Sequence, residues 1–120
     1  MTEKSNRFGA WGEQTAAAYL QQMGMTVQER NYRTAYGEID LIVRDGDTLV
    51  FVEVKTRRNC AYGSPKDAVD ARKQAHIRQA AECFLQEKGI PDDTPLRFDV
   101  ISIVKAYGQA MQLEYIRDAF

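Results

Sequence analysis

The sequence predicts an α/β fold in which helices cover both sides of a mixed β-sheet, in the order αβββαββ. Two segments with helical spacing of apolar residues, 8–23 and 64–88, are each followed by a glycine. Between them, two apolar runs flank an Asp-Gly pair, which is the strongest short-range signal for a β-hairpin. With 120 residues, the chain is expected to form a single domain, residues 1–120.

The first helix, 8–23, is expected to carry one carboxylate on its buried side. Its apolar residues include Ala16 and Leu20, and Gly24 follows its end. Glu13 precedes them by three and seven residues, so it lies on the same side of the helix. Because burying an unpaired carboxylate is costly, Glu13 is a candidate site residue. The alternative is that the first turn frays and Glu13 only interacts favourably with the helix dipole.

The later elements follow from turn residues and from β-branched runs. They are a strand at 25–33, hairpin strands at 37–42 and 51–55, a helix at 64–88 with Ser64 as N-cap and a break allowed near Ala71, and strands at 97–104 and 111–117. The connection through the second helix predicts that the third and fourth strands are parallel. Apolar residues occur on both faces of the hairpin, which predicts a central hairpin covered on both sides.

The hairpin is expected to crowd several charges at the end away from its loop. If the Asp-Gly pair at 45–46 forms the loop, Asp40 pairs with Phe51 and Glu38 pairs with Glu53. Side chains alternate along a strand, so one face collects four charged residues. They are Glu38, Asp40, Glu53 and Lys55. Like charges directly opposite each other destabilise a sheet, so this face requires a divalent cation, a shared proton or open water.

Composition excludes several classes of protein. The N-terminus has no apolar stretch of the signal-peptide type, and no apolar run approaches the ~20 residues of a membrane span. Cys60 and Cys83 have no ligand-like spacing and fit a reducing compartment. The sequence therefore predicts a cytoplasmic protein that does not enter a membrane.

Charge is distributed unevenly along the chain. The net charge is −1, but residues 55–78 contain seven Lys and Arg against two Asp, a local net charge of +5. This asymmetry begins at Lys55 and indicates an anionic partner. A solvated helix face is the alternative interpretation of the helical part of this segment.

The charged residues of the hairpin match the needs of metal-dependent phosphodiester hydrolysis. Mg²⁺ or Mn²⁺ is held by one or two carboxylates with waters and a phosphate oxygen, which suits Asp40 and Glu53 with the carbonyl of Val54. Lys55 could orient the attacking water or neutralise the phosphate. Glu13 could supply a further ligand from the helix, and Glu38 could polarise the site or pair with an arginine.

These segments resemble the PD-(D/E)xK nuclease superfamily, and within it the YraN-like family of small bacterial proteins, which is itself similar to Holliday-junction resolvases. The resemblance extends over residues 7–104 and is carried by Glu13, Gly37–Ile42, Phe51–Arg57, Arg30–Arg33 and Ala68–Asp70 with Lys73. It implies a restriction-endonuclease-like αβββαβ core, a divalent metal, and a catalytic set of Glu13, Asp40, Glu53 and Lys55. Gly-Glu-Ile-Asp stands where Pro-Asp would precede the second strand, which leaves the role of Glu38 open.

Further residues are candidates for the edges of the site. Lys73 and Gln74 lie where related nucleases place a polar helix residue, although a solvated helix face explains them equally. Four arginines could contact phosphates, each adding about one counterion to the salt dependence. They are Arg30, Arg33, Arg57 and Arg58. Unpaired bases could stack on tyrosines, although packing is the commoner role; these are Tyr32, Tyr36 and Tyr62. Asp99 is expected to pair with Arg97 or with an arginine near the acids.

Two functions remain open from the sequence. The first is an Mg²⁺- or Mn²⁺-dependent endonuclease that hydrolyses DNA, with branched structures as one substrate class. The second is a non-catalytic nucleic-acid-binding or accessory protein on a nuclease-like fold. Resolvase-like relatives act as dimers, so the resemblance includes a homodimer among the expected states, although no distinct dimer face is evident in the sequence.

Overall fold

The computed structural model describes residues 3–59 and 69–120, with side chains from residue 7 onward. The elements follow the order αβββαββ, which confirms the predicted α/β class and is compatible with a nuclease-like core. They are α1 (Glu3–Gln22), β1 (Thr26–Thr34), β2 (Gly37–Asp45), β3 (Thr48–Arg57), α2 (Ala71–Lys88), β4 (Leu96–Val104) and β5 (Gln112–Ile116).

The five strands form one mixed sheet in which sequence order and spatial order coincide, β1-β2-β3-β4-β5. Neighbouring strands are antiparallel except β3 and β4, which are parallel as the crossover through α2 predicts. β2, β3 and β4 are therefore central, and β1 and β5 are the edges.

The two helices cover opposite faces of the sheet. Ala16, Ala17 and Leu20 of α1 pack on one face, and Ile77 and Phe84 of α2 pack in a separate cluster on the other. Strands β2 and β3 contribute to both clusters, which explains why they carry apolar residues on both faces. The covered, central hairpin is thus confirmed.

Helix α2 has a defined cap at each end. Asp70 is the N-cap, and its carboxylate accepts a hydrogen bond of 2.8 Å from the N–H of Lys73. Gly89 ends the helix with a φ of 62°, in the left-handed region that favours glycine. The described helix thus begins near the break allowed at Ala71. The predicted N-cap Ser64 lies outside the described residues, as do Cys60 and Tyr62.

The hairpin register differs from the predicted one by two residues. Asp45 pairs with Thr48, so the loop is Gly46-Asp47 rather than Asp45-Gly46. Asp45 remains in the strand, where its carboxylate lies 3.1 Å from Nη2 of Arg97. Gly46 is the first residue of the loop and has a φ of 60°, a conformation that favours glycine. A shift of two keeps every side chain on its face, but it changes the partners. Phe51 pairs with Ile42 and not with Asp40.

The alternation of side chains along β2 is interrupted at Asp40. Ile39 packs against α2, whereas Leu41 packs against α1, although residues two apart on a regular strand share a face. On β1, Asn31 lies between the partners of these two residues and has a φ of 51°. The predicted single acidic face is therefore wrong for β2, because the strand turns at its aspartate.

Within the part of the chain that the structure describes, neither helix is long and apolar enough to cross a membrane.

Candidate active site

Helix α1 approaches β3 closely at one residue, Gly12. A Cβ atom added there would lie 2.3 Å from Oγ1 and 2.8 Å from Cγ2 of Thr56. A glycine inside a helix costs roughly 0.5–1 kcal/mol relative to alanine, and the close approach explains why it is used here. Gly12 thus brings α1 against the strand and places the next residue, Glu13, beside the sheet.

Glu13 reaches two residues of the neighbouring strands. Its carboxyl group is within hydrogen-bonding distance of the side chains of Asn31 and Asp40. Burial, followed by the charges of Asp40 and Glu38, raises the pKa of Glu13 to about 7, and the hydrogen bond from Asn31 opposes this shift. Because α1 begins at Glu3, Glu13 is not in the first turn, and the alternative of a frayed helix start is wrong.

Asp40 lies where β2 and β3 stop pairing. The last paired residues are Leu41 and Val52, and beyond them the N–H of Val54 donates a hydrogen bond of 2.8 Å to Oδ2 of Asp40. The carboxyl group also contacts that of Glu53. The side chain of Asp40 therefore takes the place that a backbone acceptor of β2 would have in a regular ladder.

The pairing of two carboxyl groups changes how Asp40 ionises. Burial, followed by the charge of Glu53, raises its pKa to about 8, although the hydrogen bond from Val54 lowers it. Two carboxylates at this distance cannot both ionise freely without a cation. Asp40 therefore keeps its proton to a higher pH than an ordinary aspartate.

Glu53 is buried and faces two lysines. Its side chain is 5% exposed, and its Oε2 lies 3.3 Å from Nζ of Lys73 on α2 and 4.0 Å from Nζ of Lys55 on the same strand. Lys55 was expected here from the period of the strand. Lys73, one of the two helix candidates, makes the closer contact.

The other helix candidate, Gln74, is directed elsewhere. Its side-chain amide donates a hydrogen bond of 3.0 Å to the carbonyl of Val69, and its N–H donates to the carbonyl of Asp70. Both bonds connect Gln74 to the start of α2, so Gln74 has a structural explanation of its own.

Glu38 and the four arginine candidates have different surroundings. Glu38 Oε1 lies 3.8 Å from Nε of Arg33, the pairing with an arginine that the sequence allowed. Arg30 lines a cavity of about 200 Å³ together with Glu13 and Asn31. Arg57 ends β3, and Arg58 follows it with its guanidinium 3.9 Å from the centre of the Phe8 ring.

The two described tyrosine candidates differ in their surroundings, and Tyr62 lies outside the described residues. The ring of Tyr32 packs edge-on against Phe84 and its hydroxyl donates a hydrogen bond to Glu87, so Tyr32 belongs to the packing against α2. Tyr36 is half exposed in the turn between β1 and β2.

The donor set suits a hard divalent cation that keeps several waters. Within residues 7–59 and 69–120, no group of three or more His, Cys, Asp or Glu side chains is arranged as a complete ligand set. Asp40 and Glu53 nevertheless converge as a pair, and Mg²⁺ is commonly bound through one or two carboxylates plus waters and a phosphate oxygen. The carboxyl group of Glu13 contacts that of Asp40, and no contact with Glu53 is seen among the described residues. Glu13 therefore lies next to the Asp40–Glu53 pair, on the side of Asp40.

Two residues of this site were missed from the sequence. The helical pattern around Gly12 does not indicate its close approach to Thr56. Asn31 has no feature in the strand pattern that separates it from other polar strand residues. Asn31 lies in the segment Arg30–Arg33 that carried the resemblance, and asparagine tolerates a positive φ better than most residues, but neither signal gave Asn31 a role.

A second buried acid, Asp99, has a different environment. It is fully buried, and Arg97 donates to it through Nε at 3.0 Å and through Nη2 at 3.1 Å. The hydroxyl of Tyr115 and the N–H of Asp118 also donate to Asp99. The predicted pairing with Arg97 is confirmed. This cluster is called the Asp99 network below.

The chain is similar to many bacterial proteins. It is 50% identical over 112 residues to a UPF0102 protein of Rhodococcus jostii, covering 93% of this chain and 94% of that protein. A UPF0102 protein of Syntrophus aciditrophicus is 48% identical, covering 95% of this chain and 88% of the relative. One from Syntrophotalea carbinolica is 43% identical, covering 100% and 96%.

A family model agrees with these similarities. It is described as uncharacterised protein family UPF0102 and matches residues 12–103, from Gly12 of α1 to Ile103 of β4. The matched segment contains all the carboxylates and lysines of the site. UPF0102 is the YraN family, so the resemblance inferred from the sequence motifs is confirmed. The chain therefore belongs to the UPF0102 family.

Proposed function

We propose that this protein is an Mg²⁺- or Mn²⁺-dependent endonuclease that hydrolyses phosphodiester bonds of DNA. The observation that carries the proposal is the convergence of Asp40 and Glu53 where β2 and β3 separate, with Lys55 4.0 Å from Glu53. In the described part of the chain, the carboxyl group of Asp40 contacts those of Glu13 and Glu53 and has no basic partner, whereas Glu53 has lysines beside it. Such a pair makes a poor structural ion pair. It makes a good site for a cation and a phosphate.

Each residue has a role that follows from its position. Asp40 and Glu53 would hold the metal, with the carbonyl of Val54 as a further oxygen ligand. When bound, the metal lowers the pKa of water and stabilises negative charge on the phosphate. Lys55, partly exposed at the end of β3, would orient the attacking water or neutralise the phosphate. Glu13, at the side of Asp40, would bind a ligand water.

The reaction is a hydrolysis that balances without a further reactant. The oxygen of water forms a bond to phosphorus, and the ester bond to one sugar oxygen breaks. The proton released from the water balances the proton taken up by the leaving sugar oxygen. Four arginines near the site would bind the flanking phosphates, and branched DNA is the substrate class favoured by the resemblance to resolvases. A homodimer would allow both strands to be cut.

A cleavage assay tests the proposal. Labelled duplex, single-stranded and four-way-junction DNA are incubated with purified protein in Mg²⁺ or Mn²⁺. Glu53→Gln and Lys55→Ala should each reduce cleavage by at least about a hundredfold, whereas the exposed Glu114→Gln and Lys88→Ala should retain it. Cleavage that survives unchanged in both site variants would overturn the assignment.

One observation favours a second function, a non-catalytic nucleic-acid-binding protein on the same fold. Lys73 already lies 3.3 Å from Glu53 and supplies that carboxylate with a positive charge. Salt-dependent DNA binding without cleavage, together with no heat of Mg²⁺ binding in calorimetry, would support this function. Mg²⁺ binding that is lost in Asp40→Asn would support the nuclease.

A further inference from the structure

The outer side of α1 carries a stacked group of aromatic and basic side chains. The rings of Phe8 and Trp11, one turn apart, are nearly parallel, with centres 5.8 Å apart and planes 8° from each other. Arg58, beyond the end of β3, places its guanidinium 3.9 Å from the centre of the Phe8 ring. The stack therefore fixes α1 to the segment that follows Lys55, and Trp11 remains 39% exposed.

Trp11 lines a groove on the surface of the protein. The groove has a volume of about 920 Å³ and runs between α1 and β5. Its lining includes Arg7, Trp11, Tyr19, Met111 and Leu113, and no Asp or Glu is among the described residues that line it. An apolar groove with an arginine and no acid is complementary to a planar base attached to a phosphate chain.

The groove adjoins the candidate active site. Ala10 and Gln14 line both the groove and the smaller cavity that contains Glu13 and Arg30. A strand that occupies the groove could therefore continue along α1 towards Glu13 and Asp40. The groove and the cavity are both on α1, the helix that approaches β3 closely at Gly12.

We propose that Trp11 is a stacking platform for an unpaired nucleobase of the DNA strand that enters the site. Phe8 stacks on the indole, and Arg58 in turn lies over the Phe8 ring. Arg7 and Arg58 add positive charge for the adjacent phosphates. The inference rests on the proposed function and adds its substrate class: DNA with unpaired nucleotides beside the cleaved bond. Tyr32, one of the tyrosines considered for stacking, is packed against α2 instead.

The test uses Trp11 as its own reporter, since the chain contains one tryptophan. Fluorescence is measured in EDTA, with the Asp40→Asn/Glu53→Gln protein, so that binding is separated from cleavage. A thymidine oligonucleotide of about 12 nucleotides should quench Trp11 saturably, and the quenching should weaken as salt rises. A blunt duplex of the same length should quench it little.

Variants test the role of the indole. Loss of one stacked base corresponds to about a 5- to 150-fold change in affinity, which is the expected loss for Trp11→Leu with labelled oligonucleotide. Trp11→Phe should retain most of the affinity, and Tyr107→Ala, at a residue that is 95% exposed in another turn, should retain all of it. Circular dichroism of Trp11→Phe and Trp11→Leu separates lost binding from lost folding.

Three results would overturn the platform. Unchanged single-strand affinity in a folded Trp11→Leu protein is the first, and equal quenching by blunt duplex is the second. The third is a fluorescence change that follows protein concentration alone, with a dimer in sedimentation, since the groove would then be an interface between copies. Cleavage without quenching would remove this inference only, and quenching without cleavage would remove the proposed chemistry only.

Discussion

Two acidic sites in the sheet, Asp99 on β4 and the Asp40–Glu53 pair on β2 and β3, have opposite surroundings. Asp99 on β4 accepts hydrogen bonds from Arg97, Tyr115 and the N–H of Asp118. Asp40 on β2 accepts one backbone N–H and otherwise faces the carboxyl groups of Glu13 and Glu53. The same residue type is thus neutralised in one place and left among like charges in the other.

The difference separates structure from function. Buried charges that only stabilise a fold are paired and hydrogen-bonded, because an uncompensated charge is expensive. The Asp99 network meets that requirement completely. Asp40 does not, although Glu53 beside it has two lysines, and titratable groups with strongly shifted pKa values gather at functional sites. The contrast is therefore an internal argument that the second group is kept for a ligand.

The largest expected difference in stability is between two variants, Asp99→Asn and Asp40→Asn, which each replace one acid by its neutral amide. Asp99→Asn removes the charge-assisted hydrogen bonds from Arg97 and leaves this partly buried arginine with Asp45 as its counter-charge, so the free energy of unfolding should fall by about 1.5–3 kcal/mol. Asp40→Asn removes a charge that is opposed by its neighbours, so stability in EDTA at pH 8 should stay equal or rise by about 1 kcal/mol. Urea denaturation measures both. Equal losses would show that Asp40 is as well compensated as Asp99.

The pH dependence of stability sharpens the same contrast. The pKa values of Asp40 and Glu13 rise from 3.8 and 4.5 in reference to about 8 and about 7 in the fold. The folded state therefore holds more protons than the unfolded state between about pH 4 and pH 8, and the free energy of unfolding falls as pH rises, by on the order of a few kcal/mol.

Thermal or urea denaturation across this window, without metal, measures the slope. Asp40→Asn should flatten it, and Glu114→Gln, at an exposed residue of β5, should not. A slope that is unchanged in Asp40→Asn would mean that other groups carry the proton uptake.

Much of this arrangement was predictable because it depends on local periodicity. Helical spacing, the hairpin and the parallel crossover give the order of elements, and the period of two along β3 places Lys55 beside Glu53. The turn of β2 at Asp40 was not predictable, because regular alternation assigned Glu38 and Asp40 to the face of Ile42. The close approach at Gly12 depends on which strand the helix meets, and the contact from Lys73 depends on the tilt of α2. Neither is encoded in local spacing.

The position of α1 beside the acids can be tested at two glycines of the same helix. Gly12→Ala should cost about 1–3 kcal/mol, because its Cβ would overlap Thr56. Gly9→Ala meets nothing within 4 Å and should be stabilising by about 0.5–1 kcal/mol. Thr56→Ala should reduce the cost of Gly12→Ala in a double-mutant cycle measured by urea denaturation. Additive effects of the two substitutions would contradict the contact.

A divalent cation should act on one acid group and not on the other. The measurement is made at pH 8, because Mg²⁺ binds carboxylates that have lost their protons and the pKa of Asp40 is about 8. Mg²⁺ at roughly ten to thirty times its dissociation constant should raise the free energy of unfolding by about 1–2 kcal/mol. Asp40→Asn/Glu53→Gln should abolish this rise, whereas Glu114→Gln should keep it. Differential scanning fluorimetry with and without Mg²⁺ measures it. The same rise in the double variant would place the cation elsewhere.

The smallest expected effect on stability is that of replacing Lys73, and this substitution tests the metal site most directly. Its side chain is 44% exposed, so Lys73→Gln should cost less than about 1 kcal/mol. Lys73 also competes with a cation for Glu53, and its removal should strengthen Mg²⁺ binding severalfold in calorimetry. Lys88→Gln is the matched control, since Lys88 on the same helix lies 3.6 Å from the exposed Glu87. Weaker Mg²⁺ binding in Lys73→Gln would instead mean that Lys73 holds Glu53 in place for the metal, because a lysine that only competes cannot help its competitor.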